Sequence, residues 1–328
     1  MQSRLFGRTG RAVGEIGFGS WAIGANWGNV DDDEAVAALH AALDSGVTFI
    51  DTADVYGDGR SEKLIARAVK ERRGERPFIA TKAGKRLPQQ TVSGYTYQNL
   101  ASWIERSLIN LNVDALDLVQ LHCPLTDVYY HPEIFDSLDR LTKEGKIRNY
   151  GVSVERIEEA LKAIEYPGVV SVQIIFNIFR RRPIDAFFEI AKQKNIAIIA
   201  RVPLASGLLS GKFRADTRFE ESDHRQFNRN GEAFDVGETF SGVPYEVGLR
   251  AVEQIRPLIG GDVAMAQFAL RWILMFDAVT VVIPGARNAA QARANAQAAD
   301  LPALSSSVMA QLKAIYDQDI KPYVHQRW

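Results

Sequence analysis

Thr48-Phe49-Ile50-Asp51, then an amphipathic stretch over residues 61–70, then Phe78-Ile79-Ala80-Thr81-Lys82 decide how this chain is read. A short apolar run, a segment with apolar residues at three- and four-residue steps, and a second apolar run spell strand, helix, strand. Outward from this unit, strand-like runs recur at 16–19, 116–122, 147–153, 170–176, 196–202 and 279–283, making eight in all. Helical patterns fill 32–45, 98–111, 132–143, 155–164, 185–193, 263–275 and 289–298. Eight strands alternating with eight helices predict an α/β fold, a single (β/α)8 TIM barrel spanning residues 1–328. A doubly wound open sheet is the alternative, because periodicity does not show whether the sheet's ends meet.

Composition narrows the function class. Of 328 residues, 46% are apolar and 24% charged, the balance of an ordinary globular protein. Lys and Arg number 39 against 40 Asp and Glu, a formal charge of −1, so a broad basic surface for nucleic acid or an anionic membrane is not expected. A small-molecule partner is. The single cysteine, Cys123, can form no intrachain disulfide. The first residues lack the apolar run of a signal peptide, and no stretch reaches the ~18 apolar residues of a membrane span, so a cytoplasmic location is expected.

Asp31-Asp32-Asp33-Glu34 before an apolar helical pattern reads as a helix cap. The polar, glycine-containing segment 205–243 is too long for a passive connection. Barrels place their chemistry at the carboxyl ends of the strands, which directs attention to Asp51, Lys82 and His122, each closing a strand, and to Tyr56 in the turn after Asp51. A nearby ammonium stabilises phenolate and so lowers a tyrosine's pKa from ~10, which eases proton donation to a developing alkoxide. Lys82 would supply that charge to Tyr56, Asp51 would hold Lys82, and a neutral His122 would polarise a carbonyl. The set suits carbonyl reduction and requires a nicotinamide as hydride source.

Two glycine-rich stretches are decoys. Gly17-Phe18-Gly19-Ser20-Trp21-Ala22 fits a loose dinucleotide fingerprint but is not followed by an amphipathic helix. Ser206 to Phe213 lacks the first glycine and the final Ser or Thr of a phosphate-binding loop, although its backbone amides and Lys212 can still meet a pyrophosphate. The strand-end turn at Gly285, leading into a helix from Ala289, is a barrel phosphate position, with Arg287 facing a 2′-phosphate.

Asp51-Thr52-Ala53-Asp54-Val55-Tyr56-Gly57, Thr81-Lys82, Leu121-His122 and Ile283-Pro284-Gly285-Ala286-Arg287 together resemble the aldo-keto reductases over roughly residues 5–298. The resemblance implies a barrel with a short N-terminal hairpin at its base, NADP(H) bound without a Rossmann domain, and reduction of an aldehyde or ketone. It implies Tyr56 as proton donor, tuned by Lys82 and Asp51, with His122 orienting the substrate carbonyl. Cofactor contacts carried over are Gly19, Ser20 and Trp21 around the nicotinamide ribose, Ser153 and Gln173 at the carboxamide, and Asp51. Pro203 and Leu204 lead into a pyrophosphate loop of Ser206, Gly207, Leu208, Ser210 and Lys212, and Asn295 meets the adenine. Val154 replaces a common asparagine, and Arg201 replaces the aromatic ring that stacks on nicotinamide, which a guanidinium plane can also do. Gly285 and Gln291 replace basic residues of well-known branches, leaving Arg287 as the main cation for the 2′-phosphate.

Trp21 and Trp27, with Tyr56 and His122, are the expected walls of the substrate pocket. Cys123 reads as a buried structural thiol, the remaining histidines show no paired metal spacing, and no metal is expected. Arg180-Arg181-Arg182 reads as a solvated loop; turned to the mouth, it would favour an anionic substrate. Potassium-channel β subunits, which resemble the same family, supply a second reading as a nucleotide-binding regulatory subunit. A barrel lyase or isomerase is a third, and would bind no nicotinamide.

Overall fold

The computed structural model describes residues 1–24 and 30–328. Strands β1 (Ser3–Leu5) and β2 (Ala12–Gly14) form an antiparallel hairpin. The remaining strands are β3 (Phe18–Gly19), β4 (Phe49–Asp51), β5 (Phe78–Ala83), β6 (Leu118–His122), β7 (Tyr150–Ser153), β8 (Val169–Ile175), β9 (Ala197–Arg201) and β10 (Val279–Val282). All eight are parallel, each pairing with the next. The last returns to the first: the Gly17 amide donates to the Val282 carbonyl at 2.8 Å and the Gly19 amide to Pro284 at 3.0 Å. The sheet is therefore a closed barrel and not an open sheet. Gly19 permits the seam, since a Cβ there would lie 2.7 Å from the Ile283 carbonyl oxygen.

The hairpin plugs the amino-terminal end. Phe6, fully buried, stacks on Phe49 at 5.4 Å between centroids and lies 5.0 Å from Phe78, among Val13, Leu118, Ile199 and Val281. Helices Asp32–Asp44, Arg60–Lys70, Tyr97–Leu111, Pro132–Lys143, Ile157–Ala163, Met265–Leu274 and Ala289–Gln297 lie within two residues of their expected bounds. Asp31 does cap the first of these, accepting from the Asp33 amide at 2.8 Å.

One expected helix, over 185–193, is two: Arg182–Ala186 and Phe188–Gln193, broken at Phe187. Pro183 starts the chain into helix early, and the break lets both Phe187 and Phe188 bury. Segment 205–243 is not a plain loop; it folds into short helical turns against the mouth. Helices Tyr245–Ile255 and Ser306–Ile315 were not expected, and the chain end that follows buries Trp328. Among the described residues, no helix is long and apolar enough to cross a membrane.

Candidate active site

Strand register assembles the upper rim. Gly19 pairs with Asp51, Lys82 with Gln120, His122 with Ser153, and Ser153 with Gln173. Because parallel neighbours at one level share a face, polar residues far apart in sequence meet at the barrel's carboxyl end. Lys82 is buried, and its Nζ donates to Asp51 Oδ1 at 2.5 Å, to the Thr52 carbonyl at 2.9 Å and to the Tyr56 hydroxyl at 3.3 Å. Asp51 Oδ2 accepts from Gln173 at 2.7 Å and from Gln120 at 3.2 Å. Both carboxylate oxygens are thus satisfied inside the barrel, which is the condition for burying a charge.

Burial pulls the Lys82 ammonium down, but Asp51 and Tyr56 outweigh it and hold the pKa above its ordinary value. For Tyr56 the balance runs the other way from the expected lowering: burial, opposed by Lys82, pushes the phenol up to about 12. Tyr56 is therefore fully protonated at neutral pH, with Lys82 restraining the rise. His122 packs edge to face on Tyr56 at 5.9 Å. Burial, with the cations of Lys85, Lys82 and Arg201, holds its imidazole neutral.

The turn bearing Tyr56 is gripped from outside. Arg106 donates to the Asp54 carbonyl at 3.3 Å and to the Asp58 carboxylate at 2.9 Å, and Arg86 donates to Asp58 at 2.8 Å. From inside, Ser20 Oγ donates to the Asp51 carbonyl at 2.7 Å, and Ser61 Oγ to Ser20 Oγ at 2.7 Å. Trp21 stacks over Tyr56 at 6.2 Å and meets His224 at 4.8 Å and Phe234 at 6.2 Å, an aromatic wall beside the phenol. Trp27 lies outside the described residues.

Across the mouth stand the residues expected at the cofactor. Ser153 Oγ donates to Gln173 Oε1 at 3.4 Å. Pro203 and Leu204 enter a tight segment, Ala205–Ser210, with left-handed backbone at Ala205, Ser206 and Gly207. Gly207, at φ +99°, takes the turn without the strain a side chain would bring. Leu208 is buried under it and Lys212 is exposed. Ser210 Oγ donates to the Gly207 carbonyl at 2.6 Å. At β10, the Arg287 amide donates to Gln291 Oε1 at 2.8 Å, Asn288 caps the helix through the Gln291 amide at 3.0 Å, and Asn295 Nδ2 donates to the Gly285 carbonyl at 3.1 Å.

Residues 15–317 match the model of the Aldo/keto reductase family. The chain belongs to that family. Aldo-keto reductase YhdN of Bacillus subtilis is 31% identical, covering 87% of this chain and 85% of its own. A probable voltage-gated potassium channel β subunit of Arabidopsis thaliana is 27% identical over 96% of both. The holo form of an aldo-keto reductase from Bacillus halodurans superposes with a TM-score of 0.78 at 25% identity, covering 100% of this chain and 99% of that one.

Within this aldo-keto reductase fold, several expected placements change. Gln173, expected at a carboxamide, commits its amide nitrogen to Asp51, because the register sets it level with Ser153 and within reach of β4. Arg201 does not present a bare guanidinium plane: it pairs with Glu238 and, at 3.0 Å, with Glu155, and donates to the Val154 carbonyl at 2.9 Å. Arg180 and Arg181 are buried and not solvated, the first stacked 3.9 Å over Trp328 and the second over Trp272. Cys123, Glu155 and Glu238 bring three potential metal ligands together, a grouping the sequence did not reveal. Arg201 already donates to all three, with Cys123 Sγ at 3.7 Å. Cys123, expected to be a buried thiol, is half-buried, and desolvation pushes its thiol up to about 12.

Sequence reasoning missed Gln120, Glu155, Glu238, His224 and Phe234. The last three arrive on segment 205–243, whose path no periodicity encodes. Gln120 was legible in principle, as a polar residue within an otherwise apolar strand.

Proposed function

We propose that this oxidoreductase is an NADP(H)-dependent enzyme, one barrel domain working in a cytoplasmic setting, that reduces an aldehyde or ketone to the alcohol. The observation that carries the reading is the buried chain of contacts Asp51–Lys82–Tyr56 with a neutral His122 against the phenol. When bound, the cofactor supplies the hydride. Tyr56 donates the proton from its hydroxyl to the substrate oxygen as negative charge develops there. Lys82 stabilises the phenolate left behind, Asp51 keeps Lys82 charged and placed, and His122 donates a hydrogen bond that polarises the carbonyl. The Trp21–His224–Phe234 wall borders the space beside the phenol.

The residues present fit a nicotinamide dinucleotide. Arg201 keeps a buried Nε without a hydrogen-bond partner among the described residues, Ser153 stands level with His122, and consecutive left-handed residues at Ala205, Ser206 and Gly207 make the kind of turn whose amides can face an anion. Pro203, Leu204, Ser206, Gly207, Leu208, Ser210 and Lys212 would hold the pyrophosphate, Gly19, Ser20 and Trp21 the ribose, and Gly285, Arg287, Gln291 and Asn295 the adenosine end.

Tyr56→Phe is the test. With NADPH binding retained, measured by fluorescence, kcat toward an activated aromatic aldehyde should fall about a hundred- to ten-thousandfold. Undiminished turnover would sink the assignment. The similarity to a potassium-channel β subunit favours a second reading, nucleotide binding as a regulatory subunit. It predicts NADPH binding with no Tyr56-dependent oxidation by the wild type.

A further inference from the structure

Arg201, Glu155 and Glu238 form a charge cluster that the carbonyl chemistry above leaves unused. Their side chains are 8%, 16% and 14% exposed. Three elements converge: Arg201 ends β9, Glu155 follows β7, and Glu238 comes from the segment that carries the Ala205–Ser210 turn. Arg201 also bonds the carbonyl of Val154, the residue after Ser153, so the cluster lies along the rim from the proton donor. Its charges act on the reacting groups: Arg201 on His122, Glu238 on Tyr56.

An isolated guanidinium here would create a problem for the proposed reaction. The nicotinamide is neutral in NADPH and cationic in NADP⁺, so a bare cation beside it would oppose hydride donation and loosen the oxidised form. We propose that Glu155 and Glu238 neutralise Arg201 so that the site accepts both cofactor forms, making the two carboxylates determinants of the balance between NADP⁺ and NADPH. This inference rests on the cofactor reading above. Burial raises the Glu155 pKa, Arg201 opposes that rise, and the adjacent Glu238 adds to it. The Ser206 hydroxyl donates to the Glu238 carbonyl oxygen at 2.8 Å, a backbone contact that a change of side chain leaves in place.

The test separates charge from anchoring. Glu238→Gln keeps an oxygen for Arg201 and the backbone bond to Ser206 while removing one charge. Equilibrium Kd values for NADP⁺ and for NADPH, measured by tryptophan fluorescence, should then diverge, with the ratio Kd(NADP⁺)/Kd(NADPH) rising about tenfold over wild type. Glu155→Gln should shift the ratio the same way. Equal weakening of both forms in Glu238→Gln would mean that the carboxylate only anchors the segment, and would overturn the inference, as would no change in either. Wild-type protein that binds neither form would instead overturn the cofactor reading itself.

Discussion

The two ends of strands β4, β5 and β6 differ as much as any two regions of this molecule. At the lower end Phe49, Phe78 and Leu118 meet Phe6 in an apolar plug; at the upper end the same strands present Asp51, Lys82, Gln120 and His122. Only two residue steps, about 7 Å of strand, lie between Phe49 and Asp51. Stability and chemistry therefore share a backbone but not their interactions: dispersion and area burial below, charge pairing and satisfied hydrogen bonds above. The comparison teaches that the rigid apolar end fixes strand register, and register is what brings Asp51, Lys82 and Gln120 level.

The sharpest way to break that separation is at the upper end, where removing one charge leaves another stranded. Lys82→Met leaves Asp51 with two neutral amide donors and no cation, so stability should fall by about 3–5 kcal/mol, measured by denaturant unfolding. Turnover should fall at least about a hundredfold, because the phenolate loses its counter-charge. A variant with normal stability and lost turnover would show that the ion pair contributes nothing to the fold, and would make the two ends more independent than argued.

At the lower end the expected effect is on stability alone. Phe6→Ala removes a fully buried ring from between Phe49 and Phe78 and should cost about 3 kcal/mol. The kcat for aldehyde reduction should stay at the wild-type value at temperatures where the variant is folded. A fall in kcat at full folding would mean that the plug sets the geometry of the upper rim and not only its stability.

The same division explains what was legible in the sequence. Strands and helices followed from periodicity because each buries one continuous face, as the helix Asp32–Asp44 does with Ala35, Leu39 and Ala42. Asp51, Lys82 and His122 were legible because they close apolar runs. What the sequence did not reveal depends on distant groups meeting in three dimensions. The sign of the Tyr56 shift turns on how completely the phenol is buried, and the Arg201 clasp turns on where Glu238 lands after thirty-odd residues of irregular chain. Arg181, read from its neighbours as a solvated run, is buried because Trp272 and Tyr316 come from elements far along the chain.

The smallest expected effect lies on the upper rim itself, at the exposed turn after β10. Arg287 sits where that turn enters the helix Ala289–Gln297, whose first turn is capped by Asn288 and leaves amides for an anion. If it meets the 2′-phosphate that distinguishes NADPH from NADH, Arg287→Ala should raise the Kd for NADPH about tenfold, some 1.4 kcal/mol, and leave that for NADH unchanged. The cost is modest because an exposed guanidinium is well hydrated before it binds. Both Kd values follow from fluorescence titration of one protein preparation. Equal losses for the two cofactors would give Arg287 a role in holding the turn, through its neighbours Gly285 and Gln291, and would leave the preference for a 2′-phosphate to the cations of segment 205–243, Lys212 first among them.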